Sequence, residues 1–529
     1  MQSKLEINDD NAFEEVSRRV YEMLRAGRYD EAVTVTGECS GEAFYVLQLR
    51  ALALTESGQA TGNREQLLQA LPVWDEIEEI FPGGDVKMNR ANAEQGIAEV
   101  TARSEGHLAA FTGERDHLQR ARELFEEVGK NEENDTALRA KAWTNRGNAF
   151  DLFGRDFEAL DSYGEAVSLD PAFGMAQGNI GVTLLGTLPL MNDHQPMVVT
   201  IAAMTLDAAL ADDRRVLEIG GPTALEHFRT ERSRIKLKNG LPSQVPGTPK
   251  WDDPYLAWCA LHGLFLHVSP DCITVDADID PLYFSRVFSD LSDESQERVI
   301  LLGDAFNAVK QDYLSTRYLA WLATEPQTPV REHASELSKR AVFWDGLNYS
   351  RWGAATGLAS QALAAAVNLL DKIASFVHLY LGTGRVRDVY FTSLWHRRGS
   401  TKMDESIARE IEAGNRGLLA LCDLSADVER PSQLKEFIEH RHAATHRFLV
   451  THWMLMDDRS PKGDWLERVE WDQLTEWLQI QLRAARAALI YLARTVDIHE
   501  SRAGLEALGP DKQPPSLRIQ RASTEDPEF

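Results

Sequence analysis

Residues 140–171, AKAWTNRGNAFDLFGRDFEALDSYGEAVSLDP, constrain the fold more than any other stretch of the chain. Trp143, Gly147 and Phe150 share one face of a first helix, Ala159, Tyr163 and Ala166 one face of a second, and Pro171 closes the unit. Gly147 and Ala159 fall where two antiparallel helices cross, a position that only small side chains allow. Arg146 stands where an apolar residue is expected before the glycine. Such a hairpin cannot bury its apolar face alone, so it commits the chain to a stack of similar units. Leu24-Arg-Ala-Gly-Arg-Tyr-Asp-Glu-Ala32 reads as the turn and second-helix start of an earlier unit. Helical periodicity continues through 41–57, 64–81, 86–110 and 116–129, and Gly174–Leu185 opens a further helix. The array therefore covers residues 10–190.

The large–small–aromatic, Ala–aromatic–Ala, Pro order of 140–171 resembles a tetratricopeptide (TPR) repeat. That resemblance implies a concave face for an unidentified protein or peptide ligand, or for a neighbouring subunit. A plain scaffold is the other reading.

Residues 191–249 are expected to be a connector, with KLKNGLPSQVPGTPKWDDP at 236–254 carrying its Pro, Gly and Lys. Val216-Leu-Glu-Ile-Gly-Gly221 has the look of a strand and glycine turn, but no alternation of strands and helices follows, so it too reads as connector. Asp276-Ala-Asp-Ile-Asp280 reads as a polar turn. A helix from Tyr255 runs into a short extended stretch at His267, and 293–323 carry a long helical pattern. From 350 to 500 the spacing predicts a bundle of helices near 354–382, 403–426, 431–457 and 467–496, each with one apolar stripe. The Pro-rich, charged tail 501–529 is expected to be disordered. The fold class is all-α: a helical-repeat array followed by a four-helix bundle.

The expected third bundle helix holds the chemistry. On its wheel Leu434, Phe437, Ile438, Thr445, Phe448 and Leu449 form the apolar stripe, and Arg441 falls among them. A charge left unpaired there would cost several kcal/mol, so Arg441 must be paired, open to a cleft, or face another subunit. His442 and His446 flank it one turn apart.

Arg441-His-Ala-Ala-Thr-His446 resembles the Arg-x4–6-His motif of HEPN domains (higher eukaryotes and prokaryotes nucleotide-binding). Leu370–Phe376, Phe391–Trp395, Leu418–Leu424 and Trp258–Leu266 are similar to a bacterial HEPN subfamily that follows TPR-like repeats. The resemblance covers residues 250–500. It implies a dimeric, metal-independent endoribonuclease that needs no cofactor, in a prokaryotic defence or toxin-like role. Histidine titrates near neutral pH and serves as acid or base. Arginine keeps its charge and grips phosphate oxygens. His446 is accordingly assigned to proton transfer, Arg441 to transition-state charge and His442 to support. On one helix Arg441 and His446 diverge, so the site is expected to be shared by two subunits, with larger assemblies open.

A formal charge of −26 over 529 residues repels nucleic acid at long range, so RNA needs a local basic group. Arg385, Arg387, Arg397, Arg398 and Arg447, with His396, are that group. Two alternatives remain: a non-catalytic assembly protein, and a metal-dependent hydrolase built on His440, His442 and His446. The four cysteines form no CxxC pair and no apolar run is long enough to span a bilayer. A reducing cytoplasm without membrane attachment is the expected setting.

Overall fold

The computed structural model describes residues 6–7, 10–41, 43–190, 195–236, 251–268, 278–283, 287, 292–325, 328–344, 348–383, 389–397, 400, 402–429, 448–454 and 466–508. The chain divides into two compact units, one of 1–186 with 199–241 and one of 187–198 with 242–529.

The first unit is a succession of helical hairpins: α1 (Asp10–Arg25), α2 (Tyr29–Glu38), α3 (Ala43–Thr61), α4 (Arg64–Ile80), α5 (Gly84–Glu105), α6 (His107–Lys130), α7 (Thr136–Asp151), α8 (Asp156–Leu169), α9 (Gly174–Gly186), α10 (Gln195–Leu210) and α11 (Asp213–Arg234). A two-residue parallel pairing of β1 (Glu6–Ile7) with β2 (Ser40–Gly41) joins its start. The α7–α8 hairpin is the sequence unit at 140–171. Gly147 sits against the Tyr163 ring, so closely that a Cβ there would collide with it. Tyr163 Oη donates to Asn148 Oδ1 at 2.9 Å, and Trp143, Phe150, Ala159 and Ala166 fill the same core. Arg146 reaches Glu126 of α6 at 2.8 Å and Ser162 of α8 at 3.0 Å, while its guanidinium lies over the Trp143 and Phe150 rings. The residue that breaks the apolar pattern thus ties three helices together.

The expected connector at 191–249 differs from what the described residues show. Residues 195–234 are two helices, α10 and α11, whose Leu206, Val216, Leu225 and Phe228 share a core with Met175, Val182 and Leu185 of α9. Val216–Gly221 lies inside α11, which kinks where Gly221 adopts φ 73° before Pro222. Gly-Gly-Pro reads as a turn in sequence. Here it bends a helix whose two halves are both held by packing.

The second unit contains α12 (Pro254–Leu261), α13 (Asp293–Thr324), α14 (Pro329–Ser338), β3 (Ser350–Arg351), α15 (Ala354–Leu381), α16 (Glu405–Glu412), α17 (Arg416–Glu429), β4 (Phe448–His452), β5 (Leu466–Glu470) and α18 (Trp471–Leu508). Asp253, Thr328 and Asp404 cap α12, α14 and α16, each side chain accepting from first-turn backbone N–H groups. α15 packs against α13 and α18, and α17 packs against α18. The long helix α13 is therefore a bundle member, although the sequence reading placed it ahead of the core. Against the expectation that no run suffices, α15 is by length and composition apolar enough to cross a membrane, and more than half of its most apolar stretch is buried in this packing.

Three expectations about the bundle are corrected. The second helix is broken at Gly414 (φ 87°) into α16 and α17. The third was expected to run to 457, but Phe448–His452 is a strand, so Phe448 and Leu449 belong to no helical stripe. The fourth starts at Trp471, because 466–470 is strand β5. The sheet order is β3-β4-β5, with β3 antiparallel and β5 parallel to β4. Phe448-Leu-Val-Thr is rich in branched and aromatic residues that suit a pleated, half-buried surface, and a short apolar run does not separate strand from helix by period.

Candidate active-site region

Arg441, His442, His446 and Arg447 lie outside the described residues, as do Arg385, Arg387 and Arg398 and the Asp276 end of the acidic turn. Arg397 alone of the expected RNA-binding arginines is described. It is exposed, on a loop where His396 bridges to Met403 and the Arg397 N–H donates to the Lys402 carbonyl at 2.9 Å, and its guanidinium pairs with Glu405. A surface pair of this kind is worth at most about 1 kcal/mol and exchanges readily for a phosphate.

In sequence the Arg441–His446 segment is flanked by α17, which ends at Glu429, and by β4, which begins at Phe448. β4 carries chemistry that the helical reading concealed. His452 is 1% exposed. Its Nδ1 lies 3.0 Å from the Asn348 carbonyl oxygen. A carbonyl only accepts, so Nδ1 is the donor in this bond. The ring's Nε2 is buried and has no hydrogen-bond partner among the described residues.

The facing strand contributes Arg351, paired in register with Thr451. Its guanidinium lies over two indoles, 3.6 Å from the Trp471 ring centre and 4.1 Å from that of Trp453. Burial and the neighbouring Arg331, partly offset by Asp472, bring its pKa down to about 10, so it remains a cation at neutral pH. Neither His452 nor Arg351 was singled out by sequence reasoning. The signal available was the strand-like composition of Phe448–Thr451 and the Ser-Arg-Trp run at 350–352.

Two buried polar networks brace the unit. In the first, Arg317 bonds both carboxylate oxygens of Asp280, at 2.9 and 2.7 Å, and also the Leu264 carbonyl and the Tyr255 hydroxyl. Tyr313 donates to the same Leu264 carbonyl at 2.7 Å, and Arg486 of α18 binds the Phe265 and His267 carbonyls. The polar turn expected at Asp276–Asp280 is thus an anchor at its Asp280 end. Burial pushes the nearby Cys259 thiol up to about 12, which keeps it protonated and unreactive.

In the second network, Glu410 accepts from Arg502 at 2.5 Å and faces His499 Nδ1 at 3.0 Å, while Glu500 accepts from Tyr380 at 2.7 Å and Arg298 at 3.2 Å. Burial raises the Glu410 pKa, but the His499 hydrogen bond and the charges of His499 and Arg502 outweigh it and leave the group lowered. These groups satisfy one another across α13, α15, α16 and α18, as a brace does. Among the described residues no three His, Cys, Asp or Glu side chains gather as metal ligands.

Residues 294–499 match the family model described as LA2681-like HEPN. The match begins in α13, ends in α18 and encloses both β4 and the Arg-x4-His sequence at 441–446. No curated protein matches the chain.

Proposed function

We propose that this protein, whose residues 294–499 match the LA2681-like HEPN family model, is a metal-independent endoribonuclease. The observation that carries the reading is the presence of Arg441-His-Ala-Ala-Thr-His446 inside the matched range, in the segment between α17 and β4. Arg441 holds the charge that develops on the phosphate, and His446 exchanges the proton of the attacking 2′-hydroxyl or the leaving 5′-oxygen. His442 supports them. Two chains share the site, with Arg441 of one copy serving His446 of the other across a two-fold axis. RNA approaches over Arg385, Arg387, Arg397, Arg398 and Arg447. The N-terminal hairpin array, TPR-like in its 140–171 unit, binds the trigger or assembles the enzyme, as suits an effector in prokaryotic defence or toxin action.

The test is cleavage of total RNA by wild type, Arg441→Ala and His446→Ala, with and without EDTA. Cleavage that survives EDTA and is lost in both variants is the expected result. Cleavage abolished by EDTA points instead to a metal hydrolase using His440, His442 and His446, and intact RNA throughout points to an assembly protein.

A further inference from the structure

Large aromatic side chains are normally kept from water, yet a group of them stands exposed around β3 and the end of β4. Trp453 is 64% exposed, Tyr349 51% and Trp344 83%, and Trp352 and Phe343, also exposed, stack in parallel with ring centres 6.0 Å apart. An apolar surface of this extent marks an interaction site. β3 is an edge strand of the sheet, and among the described residues no strand continues the ladder beyond it.

Trp453 is built to present a ring. Its backbone N–H donates to the Tyr349 carbonyl at 2.9 Å, and one face of its indole is covered by the Arg351 guanidinium, itself backed by Trp471. The ring is held from one side and open on the other. Tyr349 beside it adopts φ 59°, a left-handed conformation that costs a non-glycine residue energy and recurs at binding sites. The local charge is favourable to an anion as well. Burial is the main cause of the lowered Arg351 pKa, the buried Arg331 adds to it as a second nearby cation, and Asp472 is the opposing charge. In a chain of net charge −26, such a spot stands out.

We propose that the open face of Trp453, backed by Arg351 and flanked by Tyr349, is a stacking platform for a base of single-stranded RNA. The assignment of RNA rests on the nuclease reading above. A planar base is the ligand that uses an exposed indole face with a cation beside it, since every base has a π face and every nucleotide a phosphate. A duplex hides its base faces and cannot use the platform. Chain connectivity adds a distance: the seven residues from His446 to Trp453 span no more than about 25 Å even when fully extended. A strand stacked on Trp453 therefore lies within a few nucleotides of the cleavage residues, and the platform sets which phosphodiester reaches them.

Binding is read in the full-length His446→Ala protein, which holds RNA without cutting it, by anisotropy of a labelled oligouridylate and of an RNA duplex of equal length. Adding Trp453→Ala is expected to weaken single-strand binding about tenfold and leave duplex binding unchanged, while Trp453→Phe keeps single-strand affinity within about twofold. Unchanged single-strand binding in Trp453→Ala overturns the platform, as does an equal loss on the duplex. A loss that comes with altered sedimentation of the free protein assigns the face to a second copy of the chain and overturns it too. Cleavage by wild type is read in parallel. If wild type cuts RNA and Trp453→Ala has the same KM, the platform falls and the nuclease stands. If wild type never cuts but Trp453 still governs single-strand binding, the nuclease reading falls and the platform stands.

Discussion

Arg317 and Asp280 show what a single buried charge pair does in this chain. Arg317 is almost completely buried; its two bonds to Asp280 tie that residue to α13, and the Leu264 carbonyl accepting from Arg317 and the Leu266 N–H donating to Asp280 add the 262–268 segment. Removing one partner leaves the other uncompensated in a low-dielectric interior. Asp280→Ala should therefore cost about 3–5 kcal/mol in denaturant unfolding of the C-terminal unit, whereas replacing both partners by apolar residues of similar volume should cost less. His117 in α6 makes a different prediction. Its hydrogen bond to Glu94 at 2.5 Å raises its pKa, against the lowering effect of burial. A raised folded value means the imidazolium stabilises the fold below the unfolded pKa near 6.5, and that the contribution disappears as pH climbs through the folded value. The N-terminal unit should thus lose stability as pH rises above 6.5, and His117→Gln should flatten that dependence in thermal melts. Glu410 works in the opposite sense. Its lowered pKa stabilises the fold above the normal carboxylate range, and that contribution is lost as pH falls through the folded value.

The elements most legible in the sequence were those whose own pattern decided them. α15 runs Ala354–Leu381, against an expectation of 354–382, because apolar residues recur at three and four positions along its whole length and Gly382 ends it in a left-handed cap. The 140–171 hairpin was legible for the same reason. Gly147 was expected at a helix crossing and it is found against Tyr163. Other elements were decided by neighbours. β4 is too short for its period to be read, and its pairing with β3 and β5, both distant in sequence, makes it a strand. α11 contains Gly-Gly-Pro, which argues for a turn, but Val216, Leu225 and Phe228 on both sides of the kink are buried together. The candidate site was legible as a motif, while His452, Arg351 and Trp453 were not, since their roles depend on strand register. Gly417 gives the element-scale prediction. A Cβ there would meet the Thr495 nitrogen at 2.6 Å and the Tyr491 carbonyl at 2.8 Å, both backbone atoms of α18. Gly417→Ala should force α17 and α18 apart and destabilise the unit by about 1–3 kcal/mol, more than Gly→Ala at the open Gly357, as read by denaturant midpoints.

At the scale of the whole molecule, an acidic chain that handles RNA must do so through a confined surface. RNA affinity should fall with added salt along a shallow log–log slope, set by the few phosphates that a local arginine group can neutralise. Binding titrations between 50 and 200 mM salt, a range in which extensive phosphate contact costs about a thousandfold or more, read that slope directly. The proposed site also requires two chains, so catalysis and association stand or fall together. Mixing chains tests both at once. Arg441→Ala and His446→Ala proteins are each expected to be inactive on RNA in EDTA. After mixing and subunit exchange, the heterodimer holds one site with Arg441 from one chain and His446 from the other, and activity should return to about a quarter of wild type. Wild type that cuts RNA while the mixture stays as inactive as its components would contradict a shared Arg441–His446 site.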